Sequence, residues 1–284
     1  MADMVWLNGK LQPIAEAEIS PFDHGITVGN GVFETMIAYA GGPVPFAFTR
    51  HYQRLERSAG AMGLAIRPLE ELLQASIAVV EANELVAQLA RIRITVTGGP
   101  APLGSERGDS PETTLVASAA APDLGEAVDV SVVPYTRNEH GALSGLKTTS
   151  YGENVVALSY AKKRASGEAI FANTKGELCE GTGSNIFIVF EGELLTPPLE
   201  GGCLAGVTRA LVMGLCAQEG IAVTQRAVPV SALHQATEAF LTGTTREVQP
   251  IHKVDGVVLS EVPGEMTAKL RAAFRNLADG KVDP

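Results

Sequence analysis

Residues 5–13 set two short apolar runs on either side of Asn8-Gly9, a dipeptide that closes two-residue β-hairpins because both of its positions accept a positive φ. The chain is thereby committed to antiparallel pairing from its start. Residues 33–40 alternate as a strand, and Gly41-Gly42-Pro43 turns the chain. Residues 49–62 then read as a helix, with Thr49 as its N-cap and Leu55, Ala59 and Met62 as its buried stripe. A second helix is expected over 69–82, followed by strands over 91–96 and 113–119 with a Gly/Pro-rich loop between them. Further strands are predicted at 128–133, 169–173, 185–190, 221–227 and 239–242, and helices at 154–164, 207–219 and 265–277. Strands joined mainly by hairpins and interrupted by single helices predict an α+β architecture with mixed and antiparallel sheets. No G-x-G-x-x-G or P-loop falls between a strand and a helix, so nucleotide binding by those motifs is not expected.

A length of 284 residues accommodates two lobes. Periodicity lapses in the stretch ASAAAPDLGE, which divides the chain into a smaller N-terminal α/β domain (1–118), a linker (119–125) and a larger C-terminal domain (126–284). A net charge of −10 argues against a nucleic-acid partner, since phosphate backbones need clustered Lys and Arg. Cys179, Cys203 and Cys216 form neither a C-x-x-C pair nor an even disulfide set, which fits reduced thiols in a cytoplasmic protein. No apolar run reaches the length of a membrane span, so no membrane partner is expected. His51, His140, His234 and His252 are scattered without metal-ligand spacing, and no metal is expected.

Four local features bear on chemistry. Lys147 stands in a polar, Gly-bounded loop, LSGLKTTSYGEN, just before an apolar helix. Glu180 precedes a loop of small and hydroxyl residues, Gly183, Ser184 and Asn185 among them, that leads into an apolar strand. Val207 and Thr208 begin a helix, where unpaired backbone N–H groups and the helix dipole favour an anion. Gly243, Thr244 and Thr245 end a strand in amides and hydroxyls. Taken singly, each suits an ordinary turn or a solvated side chain equally well.

Taken together, the segments LKTTSYGENVVAL, GELCEGTGSNIFIV, LLTPPLEGGCLAGVTR and FLTGTTREVQPI resemble, in order and spacing, the class IV (fold-type-IV) aminotransferases that use pyridoxal-5'-phosphate (PLP). FDHGITVGNGVFET and FTRHYQRLERSA extend the resemblance over nearly the whole chain, and His24 belongs to the first of them. The resemblance implies roles residue by residue. Lys147 would carry the cofactor as a Schiff base and shuttle the proton at the substrate α-carbon. Glu180 would pair with the pyridine nitrogen, keeping the ring an electron sink. Arg54 would grip the phosphate with its planar fork, with backbone amides and hydroxyls at Val207, Thr208, Gly243 and Thr244 completing the cup, and Gly183, Ser184, Asn185 and Thr245 would bind the cofactor beside it. Tyr151 would hydrogen-bond the cofactor's phenolic oxygen. A homodimer is the assembly the resemblance implies, and an amino acid and a 2-keto acid are the substrates.

For substrate class, VGNGVFET resembles the form found in D-amino-acid aminotransferases and 4-amino-4-deoxychorismate lyases more than the branched-chain form. The expected activity is therefore transamination of a D-amino acid, with (R)-amines as further substrates. The lyase reaction and branched-chain L-amino-acid transamination follow as alternatives. The R-x-H carboxylate trap of D-amino-acid enzymes is missing, since Leu103 and Ser105 stand near its places. Phe33, Arg91, Arg93, Arg107 and Arg246 are the candidate substrate residues, with Arg91 and Arg93 sharing one strand face.

Overall fold

A computed structural model describes residues 3–284, which separate into two compact units. The first holds the residues up to Pro122 together with Leu146–Tyr151 and Lys281–Pro284. Its elements are β1 (Met4–Leu7), β2 (Lys10–Pro13), α1 (His24–Thr27), β3 (Gly31–Ala38), α2 (Phe48–Ala61), α3 (Leu69–Ala82), β4 (Ala90–Thr97) and β5 (Thr113–Ala120). The five strands form an antiparallel sheet in the order β2-β1-β5-β4-β3. Along β4 the side chains alternate strictly, Ile92, Ile94 and Val96 facing the core and Arg91 and Arg93 facing outward, as the two-residue strand period requires. The inward set packs with Val32, Met36 and Val116 against Leu55 of α2 and Leu72 and Val79 of α3, so both helices bury one stripe on the sheet.

The second unit, Asp123–Gly145 with Gly152–Gly280, contains β6 (Val128–Arg137), α4 (Gly152–Lys162), β7 (Glu168–Asn173), β8 (Leu178–Gly181), β9 (Asn185–Phe190), β10 (Glu193–Thr196), α5 (Val207–Gln218), β11 (Val223–Gln225), α6 (Ala232–Gln235), β12 (Glu238–Gly243), β13 (Glu247–Val254), β14 (Val257–Val258) and α7 (Glu265–Gly280). Its sheet runs β11-β10-β9-β12-β13-β6-β7-β8, with β14 paired to β13. The β10/β11, β13/β6 and β6/β7 pairs are parallel and the remainder antiparallel, which makes this sheet mixed. Ile170, Ile186, Ile188, Leu241 and Ile251 are fully buried at its centre. The α+β class with mixed and antiparallel sheets is therefore the observed one.

Three sequence expectations change. Thr49 is not the cap of α2: that position falls to Ala47 in the left-handed region, φ 55°, with no side-chain cap of its own. Asp283 supplies the missing acceptor, taking the Thr49 N–H at 3.1 Å and the Thr49 hydroxyl at 2.5 Å. Ala119 and Ala120, expected in a linker, continue β5 and pair with Arg91 and Ala90. Residues 126–284 are not one uninterrupted body, because Leu146–Tyr151 lies along β3. There Phe33 N–H donates to Lys147 O at 3.0 Å, and Thr149 N–H donates to Gly31 O at 2.8 Å.

Candidate active site

Backbone pairing with β3 fixes where Lys147 emerges in the first unit. Its N–H donates to Ser58 Oγ at 3.3 Å, and its Nζ lies 4.4 Å from the Phe33 ring centroid and 5.8 Å from that of Tyr151. The two rings meet edge to face at 5.1 Å, and the Arg93 guanidinium carbon sits 3.6 Å from the Phe33 centroid. Two cations thus share one aromatic ring whose face carries partial negative charge. Of the four candidate substrate arginines, Arg93 is the one the structure brings to the rings beside Lys147.

Behind this group lies a buried triad. Glu34, in the middle of apolar β3, accepts from Arg54 Nε at 2.7 Å, from Arg54 Nη2 at 2.8 Å and from His51 Nδ1 at 2.7 Å. His51 and Arg54 reach the same carboxylate because residues three apart share a helix face. Burial pushes the Glu34 carboxyl up, but Arg54 and His51 outweigh it and hold the group well below the usual range. Burial lowers His51, and the charges of Arg54 and Lys147 add to that against the pull of Glu34. His51 is accordingly a neutral imidazole donating its Nδ1–H to a carboxylate. Arg54 is raised by Glu34 in spite of its burial, so it keeps its charge with its Nε–Nη2 edge fixed.

In the second unit Glu180 is the next-to-last residue of β8. One of its oxygens accepts the Leu204 N–H at 2.9 Å, and the other lies 3.3 Å from Arg137 Nε. Arg137 also donates to Asn154 Oδ1 at 2.9 Å and lies 4.3 Å over the Phe171 ring. Leu204 is tied from its other side, its carbonyl accepting from Asn185 Nδ2 at 2.8 Å. Gly206 is the N-cap of α5, and a Cβ there would collide with Asn185 Oδ1, so only glycine lets the Asn185 side chain close on this turn. The amides that open α5 at Val207 and Thr208 have no intrahelical acceptor and face their N-terminal side, as every helix start does.

The hairpin turn between β12 and β13 approaches the loop after β8. A Cβ on Gly243 would stand 3.2 Å from Gly183 O, which makes a tight bed of two amide-rich turns. Side chains from both are already engaged within the unit. Ser184 Oγ donates to Glu168 at 3.1 Å, and Arg246 contacts Glu168 and Gln249. Arg246 therefore has an internal carboxylate beside it and braces this turn. Arg107 is likewise engaged, donating to Gly63 O at 2.6 Å, and Arg91 is exposed on the outer face of β4. His24 Nε2 donates to Pro102 O at 2.9 Å and ties α1 to the loop between β4 and β5.

Glu34, His51, Arg137 and Glu168 escaped the sequence reading. One signal was present for two of them: an acid inside an apolar strand must be paired when buried, and GVFETMIA and GEAIFAN each hold one.

The donor set fits a phosphorylated pyridine aldehyde. The first unit offers a lysine on an aromatic wall and an arginine with a fixed edge; the second, taken by itself, offers two close amide-rich turns and a carboxylate secured by an N–H and a guanidinium. The Amino-transferase class IV family model matches residues 31–254, and the chain belongs to that family. It is a PLP-dependent transaminase of fold type IV. A putative branched-chain-amino-acid aminotransferase of Methanocaldococcus jannaschii is 36% identical over 96% of both chains. The solved branched-chain aminotransferase of the archaeon Thermoproteus uzoniensis, with norvaline, is 33% identical, covers 98% of this chain and 95% of its own, and superposes with a TM-score of 0.90. Aminodeoxychorismate lyase of Bacillus subtilis is 28% identical over 96% of this chain and 94% of its own. These similarities correct the order expected from the VGNGVFET motif: they point to branched-chain enzymes, placed last there, and give no support to a D-amino-acid preference.

Proposed function

We propose that the chain transfers the amino group of a branched-chain L-amino acid to a 2-keto acid. What carries the reading is the full-length similarity to branched-chain aminotransferases, at 36% identity over 96% of the chain. The wall beside Lys147 agrees with it, since the Phe33 and Tyr151 rings offer an aliphatic side chain a surface to exclude water from. Bound PLP supplies the electron sink for the α-carbon. Lys147 Nζ would hold the cofactor at its aldehyde carbon and would serve as the base that moves the proton at the substrate α-carbon. Glu180 keeps a proton on the pyridine nitrogen, while Arg137 and the Leu204 N–H hold its carboxylate in place. Arg54 takes the phosphate with its orientation set by Glu34, and Val207, Thr208, Gly243 and Thr244 complete the cup. Arg93, beside the Phe33 ring, is the arginine assigned to the substrate carboxylate.

The test is a half-reaction. PLP-loaded enzyme is mixed in turn with L-leucine, L-valine, D-alanine and an (R)-amine, and conversion of the lysine-bound cofactor to its aminated form is followed by absorbance. Fast conversion by L-leucine and L-valine is expected. Conversion by D-alanine with the branched-chain amino acids inert would overturn the reading. Pyruvate released from aminodeoxychorismate, with no amino acid reacting, would replace it by the lyase reaction. K147A should bind PLP without a covalent link, visible as an unchanged protein mass after borohydride reduction.

A further inference from the structure

Glu168 opens β7 with a side chain only 2% exposed, and nothing in the proposed reaction uses it. Its Oε1 accepts the N–H of Ala169 at 3.0 Å, the N–H of Thr182 at 3.2 Å and the Thr182 hydroxyl. Its Oε2 accepts the Ser184 hydroxyl at 3.1 Å and lies 3.3 Å from Arg246 Nη2. Arg246 donates further to Gly167 O at 3.3 Å and to Gln249 Oε1, and Gln249 is anchored by the Leu124 carbonyl at 2.8 Å. One buried carboxylate thus clasps residues 182–184 with one oxygen pair and, through Arg246, the turn that follows Gly243. These are the two turns whose backbones come within Cβ-contact distance of each other, Gly243 against Gly183 O.

We infer that Glu168 is the positioning residue of the phosphate cup, holding the 243–246 turn, which carries Gly243 and Thr244, against the 182–184 loop. The inference rests on the assignment of Gly243 and Thr244 to that cup. Only an acceptor at both ends satisfies the cluster: a carboxylate has no donor of its own and presents about four lone-pair sites. An amide of the same shape must turn an NH2 group either to the Thr182 and Ala169 donors or to Arg246. Glu168→Gln therefore changes almost no volume and leaves at least one buried donor facing another donor.

The loss should fall on the phosphate and not on the ring. Equilibrium binding to apoenzyme of PLP and of pyridoxal, which lacks the phosphate, separates the two. Wild-type apoenzyme should prefer PLP strongly. E168Q should lose about tenfold or more in PLP affinity while its pyridoxal affinity stays within about twofold. The milder S184A, which removes one donor and keeps the carboxylate, should show a smaller loss of the same kind and guards against a misfolded E168Q. T244V serves as the control on the cup itself. If T244V loses PLP preference and E168Q with S184A does not, Glu168 has no positioning role although the cup is sound. If T244V keeps the full preference, the cup assignment fails and the inference with it. Equal losses for PLP and pyridoxal in E168Q would reduce Glu168 to general structural support. The substrate preference of the loaded enzyme does not enter any of these outcomes.

Discussion

Glu34 shows how a buried charge is kept only by the donors packed around it. A lone carboxylate inside an apolar strand would be expelled or protonated, so its retention depends on the two donors three residues apart on α2. The cost is a histidine kept neutral in the folded protein, below its ordinary value of 6.5, by burial and by the Arg54 and Lys147 charges. In the unfolded chain His51 takes up a proton near that ordinary value. The unfolded state then binds more protons as pH falls below about 6.5, and stability drops. Glu34, depressed in the folded state, acts with the same sign at lower pH, its contribution being lost as pH falls below the ordinary carboxylate range. We predict that the urea-unfolding free energy of apoenzyme falls between about pH 7.5 and pH 5.5, and that H51N, though less stable at the upper end, has a shallower slope. The same slope in both proteins would mean that His51 is charged in the fold.

At the level of elements, local pattern was readable wherever local forces decide. Helix α3 (Leu69–Ala82) and strand β9 (Asn185–Phe190) have the predicted bounds, because apolar period and turn residues coincide at their ends. Strand β13 (Glu247–Val254) is hidden in the sequence because Pro250 argues against a strand interior, yet Pro250 pairs with Phe240 of β12 and the strand goes on to pair with β6 from Ile251. The cap of α2 was misassigned for a different reason: its acceptor is 234 residues away, at Asp283, and no local window contains it. The site was legible in the same uneven way. Lys147 and Glu180 lie in contiguous motifs, whereas the partners that orient them or their neighbours, Ser58, Arg137 and Leu204, come from distant elements. The Asp283 clasp carries its own prediction. Its carboxylate sits at the positive end of the helix that bears His51 and Arg54, so D283A should destabilise the first unit by about 1 kcal/mol, read as a lower apoenzyme Tm. An unchanged Tm would show the clasp to be an exposed pair of no consequence.

For the molecule as a whole, the chain order and the order of folding units differ. The first unit is not closed by residues up to Pro122, since it takes Leu146–Tyr151 and Lys281–Pro284 from later in the chain. The first of these segments adds backbone hydrogen bonds to β3, at Gly31 and Phe33, and the second supplies acceptors to the start of α2, with Val282 O taking the Ala47 N–H at 2.8 Å. The consequence reaches the proposed function, because Lys147, the lysine proposed to hold the cofactor, arrives as part of that borrowed segment. A fragment ending at Pro122 keeps the apolar core of sheet and helices but leaves the Phe33 amide and the α2 N-terminus without these partners. It should therefore be compact and less stable than the same unit in the full chain. Its urea midpoint should be lower, and amide exchange should be fastest at Phe33 and over Ala47–Thr49. If those amides were as protected in the fragment as in the full chain, the two returning segments would be passengers on a unit complete without them. Slowed exchange at Phe33 on adding a peptide of residues 146–151 would identify the borrowed strand as the missing part.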